Sequence, residues 1–133
     1  MSGFPDSVEM VTQRIGMMPG APLVVNVLPV DFLKRLPLIH VTPGGGVETM
    51  LERTERVNVD VYSPYPPLSG EESAEALAKR VHSWLVPGVS TWFDVPAGLA
   101  DEVVCDPTPT TVPYQIDDVA LVSAAFHVTS RRQ

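Results

Sequence analysis

Cysteine is nearly absent from this chain: Cys105 is the only one in 133 residues, which excludes an intramolecular disulfide framework. It fits a reducing compartment such as the cytosol. Basic side chains are also scarce. Nine Lys and Arg stand against sixteen Asp and Glu, for a formal charge of −7. Proteins that grip a phosphate backbone cluster cations, so tight nucleic-acid binding is not expected. No apolar run reaches the roughly 20 residues of a membrane helix, and residues 1–6 lack a basic region leading into an apolar signal. No membrane association is expected. At this length the chain reads as one domain, without an internal repeat or linker.

Signature chemistry is missing as well. His40, His82 and His127 are isolated in sequence and share no metal spacing with Cys105, whose neighbours Val103 and Val104 suit an inert, half-buried thiol. Asp101-Glu102 and Asp117-Asp118 are adjacent pairs, which on a strand point to opposite faces and form no convergent dyad. The triple glycine Gly44-Gly45-Gly46 lacks the Lys-Ser or Lys-Thr of a phosphate loop and reads as a hairpin tip. The Arg131-Arg132 pair reads as a frayed tail, or as a contact for phosphate or an acidic partner. The expectation is a protein with no enzymatic activity, no cofactor and no metal.

What is present is periodicity. In residues 56–62 Val57, Val59 and Val61 alternate with polar side chains, the pattern of a half-buried strand. The spacing then predicts a long helix over 69–85, opened by a capping box from Ser69 to Glu72, with Leu77, Val81 and Trp84 packed on a sheet. A short N-terminal helix is expected from Asp6-Ser7-Val8-Glu9 through Val11 and Ile15 toward Met18. Strands are expected over 21–28, 36–42, 47–61, 89–95, 100–105 and 119–129, with a turn over 29–35 and the glycines joining a hairpin. The fold class this implies is α+β: a mainly antiparallel sheet, the long helix on one face, the short helix beside it. Fourteen prolines, about twice ordinary usage, fall at element ends and so punctuate an ordered fold. Three of them stiffen residues 63–69, where Tyr62, Tyr65 and Leu68, with Trp92 and Phe93 further on, are candidates for a subunit contact.

Four stretches carry a resemblance: LPLIHVTPGGG at 36–46, TERVNVDVY at 54–62, SAEALAKRVHSWL at 73–85 and VALVSAAFHVTSRR at 119–132. Their order over residues 4–132 resembles the tail-terminator proteins of long, non-contractile-tailed phages. That resemblance implies an α+β subunit in a hexameric ring that caps the tail tube, stops its growth and presents a surface to the head connector. It implies a tail-tube protein and a head-connector protein as partners, DNA passing through the ring without specific binding, and a place at the tail-head junction of the virion after assembly in the host cytoplasm. Interaction would fall to Tyr62, Tyr65, Leu68, Trp92, Phe93, Arg131 and Arg132. Other readings of the same residues are a head-tail connector or stopper, a small enzyme in which Cys105 meets a histidine and an acid, and a monomeric peptide-binding module using a strand edge.

Overall fold

Asp6 sits in extended backbone and its carboxylate accepts from the Glu9 amide at 3.2 Å, so the first helix, α1 (Ser7–Gly16), starts where the sequence places its cap. This computed structural model describes residues 3–133. Met10, Val11 and Ile15 turn one side of α1 inward. The expected strand over 21–28 shrinks to β1 (Leu23–Val25), and a single 3-10 turn at Phe32–Lys34 replaces the loop after it.

The next two strands are β2 (Leu38–Glu48) and β3 (Glu52–Pro64), an antiparallel pair. Their reversal is not at the triple glycine. Pro43 pairs with Val57 but Gly46 pairs with Glu55, so β2 carries one extra residue there and the glycines form a bulge inside the strand. Gly45 holds φ at +88°, and a Cβ on Gly46 would collide with the Thr54 carbonyl oxygen. Thr49 makes the turn instead: its hydroxyl accepts from the amides of Leu51 and Glu52, and its own amide donates to the Glu52 carbonyl at 2.8 Å.

The expected long helix is also corrected. Pro64, Pro66 and Pro67 bar helical hydrogen bonding, Gly70 takes φ +82°, and the chain turns helical only at α2 (Ala74–Leu85). Ser73 supplies the cap, accepting from the Ala76 amide at 3.2 Å. Glu72 reaches Arg80 at 2.6 Å rather than closing a box with Ser69. Downstream lie β4 (Thr91–Val95), β5 (Gly98–Cys105), the unanticipated β6 (Thr110–Val112) and β7 (Val119–Arg131). Strand makes up 43% and helix 19%, so the α+β expectation with a long helix gives way to a mostly β fold: a curled mixed sheet and two short helices.

Strand order is β1-β2-β3-β7-β5-β4, with β6 beside the first half of β7 on the flank that β5 takes further along. Among the described residues only β1 and β2 run parallel. The valine alternation decides which side is which. Val57, Val59 and Val61 join Val122, Phe126 and Val128 in one cluster with Met10 and Ile15 of α1 and Leu77, Val81 and Leu85 of α2. On the reverse side at the Pro64 end, Leu38, Tyr62, Val119 and Leu121 form a smaller cluster flanked by Phe32, Tyr114 and Ile116.

Trp84 is half-buried at the edge of the larger cluster and also joins the two helices. Its indole N–H donates to the Arg14 carbonyl at 2.6 Å, and the Arg14 guanidinium lies 4.3 Å from its ring centroid, so it ties α2 to α1. Phe126 is the largest fully buried side chain. Phe126→Ala should cost about 3–5 kcal/mol by loss of contacts and a residual cavity, with Trp84→Ala costing less because its ring is only half-buried. Urea denaturation reads this directly; a Phe126→Ala midpoint at the parent value would contradict the packing described.

Candidate interaction surface

Strand pairing brings together polar residues that are far apart in sequence. His40, Asp60 and Ser123 are direct cross-strand partners on β2, β3 and β7, so they form one row across the reverse side of the sheet. The row is not a nucleophilic relay. The Ser123 hydroxyl donates to Asp60 Oδ1 at 2.6 Å, and His40 Nε2 lies 3.2 Å from the Asn26 carbonyl, so no histidine faces the serine. Sequence reading missed this row because register decides it. Thr42, Arg56, Asn58 and Thr110 join Asp60 and Ser123 around a cleft of about 420 Å³ that Pro107, Val112 and Ala124 also line.

The remaining histidines and Asp101 have structural partners. His127 Nε2 is 3.0 Å from the Asp106 carbonyl, His82 lies against Phe126, and Asp101 pairs with Arg131 at 3.1 Å. The Asp118 carbonyl accepts from the Tyr65 amide. Among the described residues no group of three or more His, Cys, Asp and Glu is placed to hold a metal. Burial, then the neighbouring Asp106 charge, pushes the Cys105 thiol up to about 11. No helix among the described residues is long and apolar enough to cross a membrane.

The apolar candidates divide sharply. Tyr62 is buried, edge-on to both Phe32 and Tyr114, and burial followed by the Asp60 charge raises its phenol above the usual range. Phe93 is buried in the larger cluster, and the Arg14 guanidinium lies 5.6 Å from its ring centroid and 4.3 Å from that of Trp84. Neither ring is available to a neighbour. Tyr65, Leu68 and Trp92 do stand in solvent, at 60%, 59% and 67% exposure. Arg131 and Arg132 are not a loose tail: the first pairs with Asp101, and the second donates to the Met50 carbonyl at 3.1 Å and lies over Phe4.

Two further apolar groups emerge. Val47, Met50 and Leu51 crowd the β2–β3 turn, all more than 70% exposed. They escaped sequence reading because placing the turn at the glycines put them inside a paired arm. Val27, Val30 and Leu33 lie exposed on the connection from β1, which Phe32 pins to Tyr62. The turn is at one end of β3 and Tyr65 and Leu68 are at the other; the loop from β1 runs between them, from Asn26, which lines one cavity with Arg53 and Glu55, to Phe32 at Tyr62. Thirteen residues of strand at about 3.3 Å each set these ends roughly 40 Å apart. Among the described residues no strand lies on the outer flank of β2 from Val41 onward, since β1 pairs with Leu38, Ile39 and His40.

No family model matches the chain, and no curated protein matches it. The thiol offers a direct check of the side-chain environment. At pH 8 a group titrating near 11 is about one-thousandth thiolate, against roughly a tenth for an unperturbed one near 9. Iodoacetamide should therefore alkylate Cys105 about 100-fold more slowly in the folded protein than in urea, with the folded rate climbing until about pH 11. Equal rates in both states would contradict the buried setting.

Proposed function

We propose that this chain is a tail terminator of a long, non-contractile-tailed phage, a structural subunit that closes into a ring on the tail tube, halts its polymerisation and offers the head connector its seat. The observation that carries the reading is the separation of exposed apolar groups to opposite ends of β3. Two unlike patches on one subunit favour heterologous contacts, and heterologous contacts close into rings when their rotation permits. The four stretches that carry the resemblance fold as β2, β3, α2 and β7. The excess of acidic residues suits a lumen through which DNA slides without being held.

In this reading Tyr65 and Leu68 contribute to the subunit contact. The prolines around them limit the freedom lost on association. Trp92 and the loops beside β7 provide further surface, and the tail-tube and head-connector proteins take the two faces of the ring.

Light scattering with negative-stain imaging, in the presence of purified tail tubes, tests the proposal. The parent should form closed rings at tube ends, and Tyr65→Asp with Leu68→Asp should lower the assembled fraction at least several-fold, because a charge desolvated without a partner is costly. A folded double variant that assembles and caps tubes like the parent would move the contact elsewhere. A parent that stays monomeric with tubes present contradicts the terminator reading, and binding to DNA-filled heads alone would favour a connector.

A further inference from the structure

We propose that the cleft on the reverse side of the sheet binds a small zwitterion, an α-amino acid with an apolar side chain, held by its carboxylate on Arg56 and by its ammonium on Asp60. Both charges line that one cleft, whose volume of about 420 Å³ is that of a small-molecule site. Among the described residues neither has an ion-pair partner. Asp60 Oδ1 accepts from the Ser123 hydroxyl at 2.6 Å, which fixes the carboxylate and leaves Oδ2 open. Arg56 donates through Nε to Asn58 Oδ1 at 3.0 Å, which leaves both terminal nitrogens of its guanidinium open.

Spacing selects the class of ligand. Arg56, Asn58 and Asp60 share one side of β3, and the Nε contact lays the guanidinium against Asn58, one two-residue repeat of roughly 7 Å short of Asp60. The two charges are too far apart to pair with each other. A carboxylate bonded to one and an ammonium bonded to the other span that gap when only the N–Cα–C unit of an α-amino acid lies between them, whereas the termini of a dipeptide overreach it. A neutral polyol would answer neither charge. Pro107, Val112 and Ala124 complete the wall, so an apolar side chain fits there and a charged one would lose water without gaining a partner. The bulge of β2 serves the same site: a Cβ on Gly44 would come within 2.8 Å of Arg56 Cγ and 3.0 Å of Asn58 Nδ2, so the missing side chain admits the Arg56 stem along the strand.

Calorimetric titration of the folded chain with L-leucine, joined to amide chemical-shift mapping, tests the site. Leucine should bind with shifts at Asn58, Asp60 and Ser123, while leucinamide, which lacks the carboxylate, and 4-methylpentanoate, which lacks the ammonium, should each bind about ten-fold more weakly or worse. Arg56→Gln alters an exposed side chain and Asp60→Asn keeps an acceptor for Ser123, so both variants should give the parent's circular dichroism spectrum and lose leucine affinity to the same degree. Gly44→Ala should also weaken binding, by displacing Arg56, with the spectrum unchanged. No binding of leucine up to its solubility limit would overturn the proposal. Equal binding of all three ligands, or binding that survives Arg56→Gln, would do the same, and tighter binding of maltose would make the cleft a polyol site instead. The site stands or falls apart from ring assembly.

Discussion

Everything in this molecule is hung on the pairing of β3 with β7. Their thirteen-residue strands run antiparallel from Glu52↔Arg131 to Pro64↔Val119, the longest uninterrupted ladder in the sheet. β2 attaches to its free flank on one side, β5 and β6 share the other, and β1 and β4 hang on those in turn. Because side chains alternate, this one register also decides what each face holds. A slip by a single residue would turn Val57, Val59 and Val61 toward the reverse side and drive Asn58 and Asp60 under the helices.

The helices are held to that ladder by packing and to each other by a cation. Arg14 lies 4.3 Å from the Trp84 ring and 5.6 Å from that of Phe93, with its Nε buried and unpaired, so aromatic faces take the place of hydrogen-bond acceptors. Such contacts are worth about 0.5–2 kcal/mol, more where water is excluded. The same Arg14 supplies its carbonyl to the indole N–H, so α1, α2 and β4 meet at one residue. Trp84 is spent on this junction.

Where local pattern and global pairing agree, the sequence was readable. The Val57–Val59–Val61 alternation, the long period of β7 and the Asp6 cap each specify their element with near neighbours alone. Where the outcome depended on a distant partner, reading failed. Three glycines permit either a turn or a bulge, and Thr49, four residues past Gly45, decided it by satisfying two amides of the turn. Ser69 has a capping hydroxyl, but prolines before it and a left-handed Gly70 after it moved the helix start to Ser73. The candidate surface shows the same division: composition pointed to exposed apolar groups near the prolines, and Tyr65 and Leu68 are exposed, but Tyr62 and Phe93 had their solvent side taken by Phe32, Tyr114 and Arg14. Val47, Met50 and Leu51 became surface only once the turn moved.

The β3–β7 ladder is the frame that keeps the exposed turn and the Tyr65–Leu68 segment apart. Amide hydrogen exchange followed by mass spectrometry is its most direct test, because local opening reports how each segment depends on the rest. Amides of Val57, Val59 and Val61 and of Val122 through Val128 should exchange last and only with global unfolding, after those of α1 and α2, while the turn at Thr49 and the segment from Tyr65 to Leu68 exchange early in the unassembled chain. If the helices outlast the ladder, or if β3 and β7 open together with the turn, the ladder is not the frame.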